Sequence, residues 1–282
     1  MTNKENHSFS INANGRLLNF NGVALMGILN ITPDSFFDGG RHNSINNAVE
    51  HTAKMLAEGA DIIDIGGAST RPNAQKVSEQ EEADRVLPII EKMVSTFPDI
   101  VISIDTYYSK VAEQAIESGA SIVNDISGGT MDKKMFDFVA KNKLPYVLSH
   151  IQGTPTNMQE NPQYNNVVLD VLKELSFKVK ELEEKGANDI IVDLGFGFGK
   201  TVEHNYELLA NLRLFKEALQ KPLLVGVSRK SMLYKPLGIT PQESLPATTA
   251  AHVVAIENGA DILRVHDVKA AKQVVEVLRL VG

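Results

Sequence analysis

Asn30, Asp64, Asp105, Asn124, His150, Asp193, Arg229, Lys230, Arg264 and His266 share a placement: each closes a short apolar run or follows it within a few positions. Carboxylates and amides such as Asp105, Asn124 and Asp193 offer paired acceptors and donors, which complement a flat, nitrogen-rich heterocycle. The cations suit phosphate instead, above all Arg229 and Lys230 between the hydroxyls of Ser228 and Ser231. Each residue alone has a structural alternative. An Asp or Asn at a strand end can cap the following helix, a single His is often a satisfied structural group, and an Arg-Lys pair can be a solvated surface feature. Their recurrence in one kind of place argues for a site assembled from many segments.

Gly195-Phe-Gly-Phe-Gly-Lys200-Thr201 resembles a nucleotide phosphate loop, but only three residues separate its first glycine from Gly199-Lys200-Thr201 where that motif requires four. The glycines fit a loop that needs positive φ and brings backbone close to a ligand, with Phe196 and Phe198 as walls.

The elements that must carry these residues repeat. Gly59-Ala60, Gly119-Ala120, Gly186-Ala187 and Gly259-Ala260 each close a helical stretch and precede an apolar run ending in polar residues. Eight strands are predicted at 24–30, 62–66, 101–105, 122–124, 145–150, 190–193, 223–228 and 262–265, with helices between them. Strict alternation implies parallel strands. Eight units in 282 residues, with polar strand ends, favour a (β/α)8 TIM barrel over an open doubly wound sheet. The chain then reads as one domain, 1–282, opening with a hairpin over 8–20 around Asn14-Gly15 that plugs one end of the barrel. Ser78-x-x-Glu81 reads as a capping box, and Thr240-Pro241-x-Glu243 as a helix start. Val268, Ala271, Val275 and Leu278 form the inner stripe of the last helix.

Composition narrows the partners. With no cysteine there are neither disulfides nor thiolate metal sites, and no signal peptide or membrane span is legible, which together favour a cytoplasmic protein. A net charge of −7 without a basic run argues against nucleic acid, so an anionic ligand must meet a few local cations.

Met26-Gly-Ile-Leu-Asn-Ile-Thr-Pro-Asp-Ser-Phe36, Ser69-Thr-Arg-Pro72, Ser228-Arg-Lys-Ser231 and Arg264-Val-His-Asp-Val268 resemble, in that order, the signatures of the dihydropteroate synthase family. The resemblance implies condensation of a dihydropterin methyl pyrophosphate with p-aminobenzoate, yielding dihydropteroate and pyrophosphate for folate synthesis. By it, Asp105, Asn124, Asp193 and Lys230 would bind the pterin, with Arg264 packed over the ring. Asp105, Asp193 and Lys230 would be catalytic, the two carboxylates through negative potential on a methylene that gains positive charge. Pyrophosphate would fall to Asn30, Arg71 and His266, with Mg2+ at Asn30. The aminobenzoate would lie near Phe36, Thr70, Pro72, Phe198 and Ser231. A homodimer and a sulfonamide target are also implied.

Three residues depart from the family's usual pattern: Ala68 replaces glutamate, Ser149 methionine and Leu194 proline. The last two are expected beside the pterin, where a serine removes apolar contact and adds a hydroxyl needing a partner. Competing readings are a pterin-dependent methyltransferase, which would have no use for the pyrophosphate residues, and a noncatalytic pterin-binding protein.

Overall fold

In the computed structural model, residues 8–13, 15–31, 41–68, 77–154 and 157–281 are described. Strands β1 (Ser8–Ala13) and β2 (Arg16–Asn21) form an antiparallel hairpin in which Ala13 pairs with Arg16. Eight parallel strands follow: β3 (Ala24–Asn30), β4 (Ile62–Gly66), β5 (Ile102–Asp105), β6 (Ile122–Asp125), β7 (Tyr146–Ser149), β8 (Ile190–Asp193), β9 (Leu223–Val225) and β10 (Ile262–Val265). Because β10 pairs with both β9 and β3, the sheet closes into a barrel, and the doubly wound alternative falls away.

The described helices are α1 (Arg41–Ala57), α2 (Glu79–Thr96), α3 (Ser109–Glu117), α4 (Met135–Asn142), α5 (Val167–Glu184), α6 (Val202–Ala210), α7 (Leu212–Leu219), α8 (Ser231–Leu237), α9 (Leu245–Glu257) and α10 (Val268–Val281). Four of them end alike. Gly59, Gly119, Gly186 and Gly259 take φ of +96° to +109°, and the next alanine donates its N–H five residues back, as Ala60 does to Met55 at 2.9 Å and Ala260 to Ala255 at 3.0 Å. This is a Schellman stop, which uses glycine's freedom to satisfy the last carbonyls and points the chain straight into the next strand. The repeated Gly-Ala pair is therefore a helix terminator.

Two apolar layers hold the barrel. Ile63, Ile65, Ile104, Val123, Leu148 and Val192 face outward and pack beneath the helices. Inside, Met26, Ile62, Ile122, Val147, Ile191, Leu224 and Ile262 form a separate plug, sealed by Ile11 of the hairpin with Phe9, Leu18 and Phe20 against it. The stack of Phe9 on Phe20, 4.7 Å between centroids, keeps the hairpin lid apolar underneath.

Smaller features differ from the sequence reading. Ser78 caps α2 by accepting from Glu81 N at 3.2 Å, but the Glu81 carboxylate turns forward to Arg85, so only half of the capping box forms. Thr240 and Glu243 do exchange hydrogen bonds, yet they close a turn and α9 starts only at Leu245. The strand expected over 223–228 stops at Val225: β8 has run out at Asp193, opposite Leu224, and the pairing with β10 ends at Leu263, opposite Val225. In α10, Val268 and Ala271 are fully buried, Val274 joins them, and Val275 and Leu278 lie partly buried against the core.

Candidate active site

Strand alternation carries the inward face of the plug directly into the site. Two residues beyond Ile62, Ile122, Val147, Ile191 and Ile262 stand Asp64, Asn124, Ser149, Asp193 and Arg264. Arg264 is the centre of this layer. Its Nε donates to Asp64 Oδ2 at 2.6 Å and its Nη2 to Asp105 Oδ2 at 2.6 Å, while Asn124 Nδ2 donates to Asp64 Oδ2 at 3.1 Å. Burial pushes the Asp105 carboxyl up against the pull of Arg264; burial also opposes the Arg264 charge, but Asp64 and Asp105 more than restore it. The pterin residues expected from the sequence, Asp105, Asn124, Asp193, Lys230 and Arg264, therefore meet at one mouth. Two carboxylates hold the Arg264 guanidinium through Nε and Nη2, which fixes its orientation at the mouth. Asp64, fully buried and in register one pleat below Asp105, is absent from the expected pterin set.

Asp193 accepts from Gly195 N at 2.8 Å; burial raises its carboxyl, opposed first by Lys230. Lys230 Nζ donates to the Phe196 carbonyl and sits 4.6 Å above the Phe198 ring. Burial lowers that ammonium to about 8. Phe196 itself points into the outer core, so it supplies a carbonyl and not the expected wall, whereas Phe198 joins Ile126, Ile151 and Met158 in a small cluster at the mouth.

Arg229 takes φ +55° and binds Asp267 through two bonds of 2.8 and 2.6 Å, so of the two cations in this segment only Lys230 turns towards the other site residues. His266 lies close by, its N and Nδ1 each 3.2 Å from Ser228 Oγ. Burial, then Arg264 and Arg229, lowers its imidazole to about 4. At pH 7 the imidazole is thus neutral, a hydrogen-bonding group rather than a cation. Ser231 opens α8 directly after Lys230. Asn30 ends β3, half-buried, with Gly66 between it and Asp105 in the sheet register. Phe36, Thr70, Arg71 and Pro72 lie outside the described residues.

The departures from the family pattern separate. Ser149 faces the lumen beside Asp193, 1% exposed, and its hydroxyl has no partner among the described residues. Leu194, expected beside the pterin, is instead fully buried in the outer core, one residue out of phase with Asp193.

Known proteins share the fold and much of the sequence. Residues 26–266 match the model of the family described as pterin binding enzyme. A dihydropteroate synthase of Escherichia coli (strain K12) is 43% identical over 271 residues, covering 95% of this chain and 94% of that protein. A structure of Xanthomonas albilineans dihydropteroate synthase with 4-aminobenzoic acid superposes with a TM-score of 0.90 at 38% identity, covering 97% and 98% of the two chains. The Xanthomonas enzyme in complex with 7,8-dihydropteroate gives 0.86 at 35% identity, over 97% and 98%. The chain belongs to the pterin-binding enzymes, within the dihydropteroate synthase family.

Proposed function

We infer that this chain, as one domain over 1–282, condenses 6-hydroxymethyl-7,8-dihydropterin pyrophosphate with p-aminobenzoate to give 7,8-dihydropteroate and pyrophosphate. The observation that carries the reading is the Arg264–Asp64–Asn124 and Arg264–Asp105 network at the barrel mouth, with Asp193 and Lys230 beside it. Such a set offers a pterin carboxylate acceptors, an amide and an ammonium in a dry, preorganised pocket.

In the reaction the aminobenzoate nitrogen bonds to the pterin methylene as the C–O bond breaks. That bond pair leaves with pyrophosphate, and the new nitrogen sheds one proton. The positive charge that grows on the methylene meets the negative potential of Asp105 and Asp193, and Lys230 holds the ring in register. His266, as a neutral donor, and Asn30 and Arg71 receive the leaving group. Among the described residues no three acidic or histidine side chains gather as a metal cage. Asn30 offers one neutral oxygen, which fits a Mg2+ held mainly by the pyrophosphate and water. Bound there, the ion would neutralise the leaving group. Phe198 and Ser231 would flank the aminobenzoate, with Phe36, Thr70 and Pro72, and a sulfonamide would compete for the same place.

A homodimer is supported by Val253 and Val254 on α9 and Val277 and Leu280 on α10, apolar side chains left exposed. For a cytoplasmic location the support is the cysteine-free, acidic composition; among the described residues no helix is long and apolar enough to cross a membrane. The deciding experiment measures pyrophosphate release from the dihydropterin pyrophosphate with Mg2+, with and without p-aminobenzoate, and identifies the product. Aminobenzoate-dependent release with dihydropteroate formed is expected; binding without turnover would sink the reading.

A further inference from the structure

Lys200 is the most deeply buried lysine among the described residues, 3% exposed, and no step above uses it. Its ammonium donates to the carbonyls of Gly195 at 2.9 Å and Phe198 at 3.0 Å, approaches that of His150 at 3.4 Å, and lies 2.9 Å from His150 Nδ1. With every neighbour an acceptor, it has no donor left for a phosphate. Its partner is fixed from the far side: His150 Nε2 meets Glu174 Oε2 at 3.3 Å, and Glu174 Oε1 binds Lys178 at 2.7 Å. Burial, then Lys200, lowers the imidazole to about 4, which makes it neutral, accepting from Lys200 and donating to Glu174.

What Lys200 grips is the floor under Lys230. All five carbonyls from Gly195 to Gly199 accept from side chains: Gly195 and Phe198 from Lys200, Phe196 from Lys230, Gly197 from Gln159 and Gly199 from Tyr164. Gly195 and Gly199 have left-handed φ, and an added Cβ would collide with the carbonyl oxygens of His150 and Gln152 respectively. Backbone packed that closely against β7's exit needs its convergent carbonyl dipoles neutralised. The Phe198 N–H closes a turn onto the Gly195 carbonyl at 3.0 Å, and among the described residues Lys200 is the one side chain that clamps both ends of that turn, from 195 to 198.

We propose that Lys200 is a positioning residue of the pterin pocket: by drawing the Gly195 and Phe198 carbonyls onto one ammonium braced by His150 and Glu174, it fixes the Phe196 carbonyl and Phe198 ring that aim Lys230. This rests on the reading of the mouth as a pterin site. Glutamine or methionine at this position cannot bring three converging donors from one atom to these acceptors, and Lys230 then loses its fixed direction.

The test is calorimetric binding of 6-hydroxymethylpterin pyrophosphate to the parent, Lys200→Met, Lys230→Met and the double variant, alongside thermal unfolding of each. Lys200→Met is expected to weaken binding about tenfold, and to weaken it little further in the Lys230→Met background, since the effect passes through Lys230. A purely structural lysine would lower thermal stability yet leave the affinity of the folded protein unchanged, or give additive losses in the double variant; either result overturns the proposal. If Lys200→Met does not fold, Lys200→Gln takes its place in the same cycle, and the same two results would overturn the proposal. Failure of the parent to bind the pterin would instead overturn the pterin reading itself.

Discussion

Two residues apart on the same strands, the barrel lumen changes character. At the hairpin end Ile62, Ile122, Val147, Ile191 and Ile262 interlock as a fully buried apolar plug. One pleat further, Asp64, Asn124, Ser149, Asp193 and Arg264 replace them with scarcely more exposure, from 0% at Asp64 to 6% at Asp193 and partial burial at Arg264. The backbone is the same parallel ladder throughout, so the difference lies in what neutralises the side chains. Below, dispersion and exclusion of water suffice. Above, each charge depends on a specific partner, so the two layers should respond oppositely to loss of size and loss of charge.

Removing the upper layer's cation should have the largest effect. Arg264→Leu leaves Asp64 and Asp105 buried without their guanidinium, a situation that costs about 3–5 kcal/mol. The sign of its pH dependence follows from Asp105. Burial already raises that carboxyl above its unfolded value, and Arg264 is what opposes the rise. Without the guanidinium the folded state holds its proton more tightly still, so the variant is least handicapped at low pH and loses stability as pH rises. Denaturant unfolding at pH 5 and pH 8 should show the deficit growing between them, with pterin binding abolished at both. Parental stability at pH 8 would mean that the upper layer is not held by charge.

Glu82 sharpens the comparison because it is a buried carboxyl of similar depth outside the lumen. It sits on α2, 1% exposed, so close behind Gly67 that a Cβ there would lie 3.0 Å from its Cγ. Burial raises it from 4.5 to about 7, more than the Thr106 hydroxyl and Arg85 return. Its contribution to stability is fully present below about 4.5 and is lost as pH rises through about 7. Glu82→Gln should therefore stabilise the protein at pH 8 by up to about 3 kcal/mol and give little or no gain at pH 4.5. A gain that is equal at both values would assign the effect to packing instead of charge.

These buried carboxyls also mark what a sequence can and cannot disclose. Strand ends such as Asn30, Gly66, Asp193 and Val265 are readable because a Schellman glycine starts each unit or a polar residue closes it, both local signals. Asp105, Asn124 and Asp193 are visible as polar strand ends, and Lys230 and Arg264 through the late motifs. Asp64 is visible near its strand end but its role is not, since only closure of the barrel brings Arg264 to it, 200 residues away. The Lys200–His150–Glu174 brace is hidden for the same reason: Lys200 and His150 lie 50 residues apart, and the loop's glycines suggest ligand approach rather than internal satisfaction. Leu194 and Phe196 are legible by phase: both keep that of Ile190 and Val192, so period-two alternation continued past the end of β8 sends them to the outer core, whereas the motif around them suggests the ligand side.

The smallest change tests the lower layer alone. Ile191 is fully buried in the plug, on the same strand face as Asp193 and one pleat beneath it. Ile191→Val removes a single methyl from a dry contact, which costs about 0.5–1.5 kcal/mol through lost transfer energy and a small void. No charge changes, so the loss should be the same at pH 5 and pH 8. Since the plug is held by shape and the mouth by its own ion pairs, the methyl's absence should not reach Asp193, and pterin affinity and turnover should stay within about twofold of the parent. Denaturant unfolding and steady-state kinetics on the same preparation check both halves. If affinity fell in step with stability, the floor of the pocket would be set by packing from below, and the division between a structural layer and a chemical one would have to be moved up the strand.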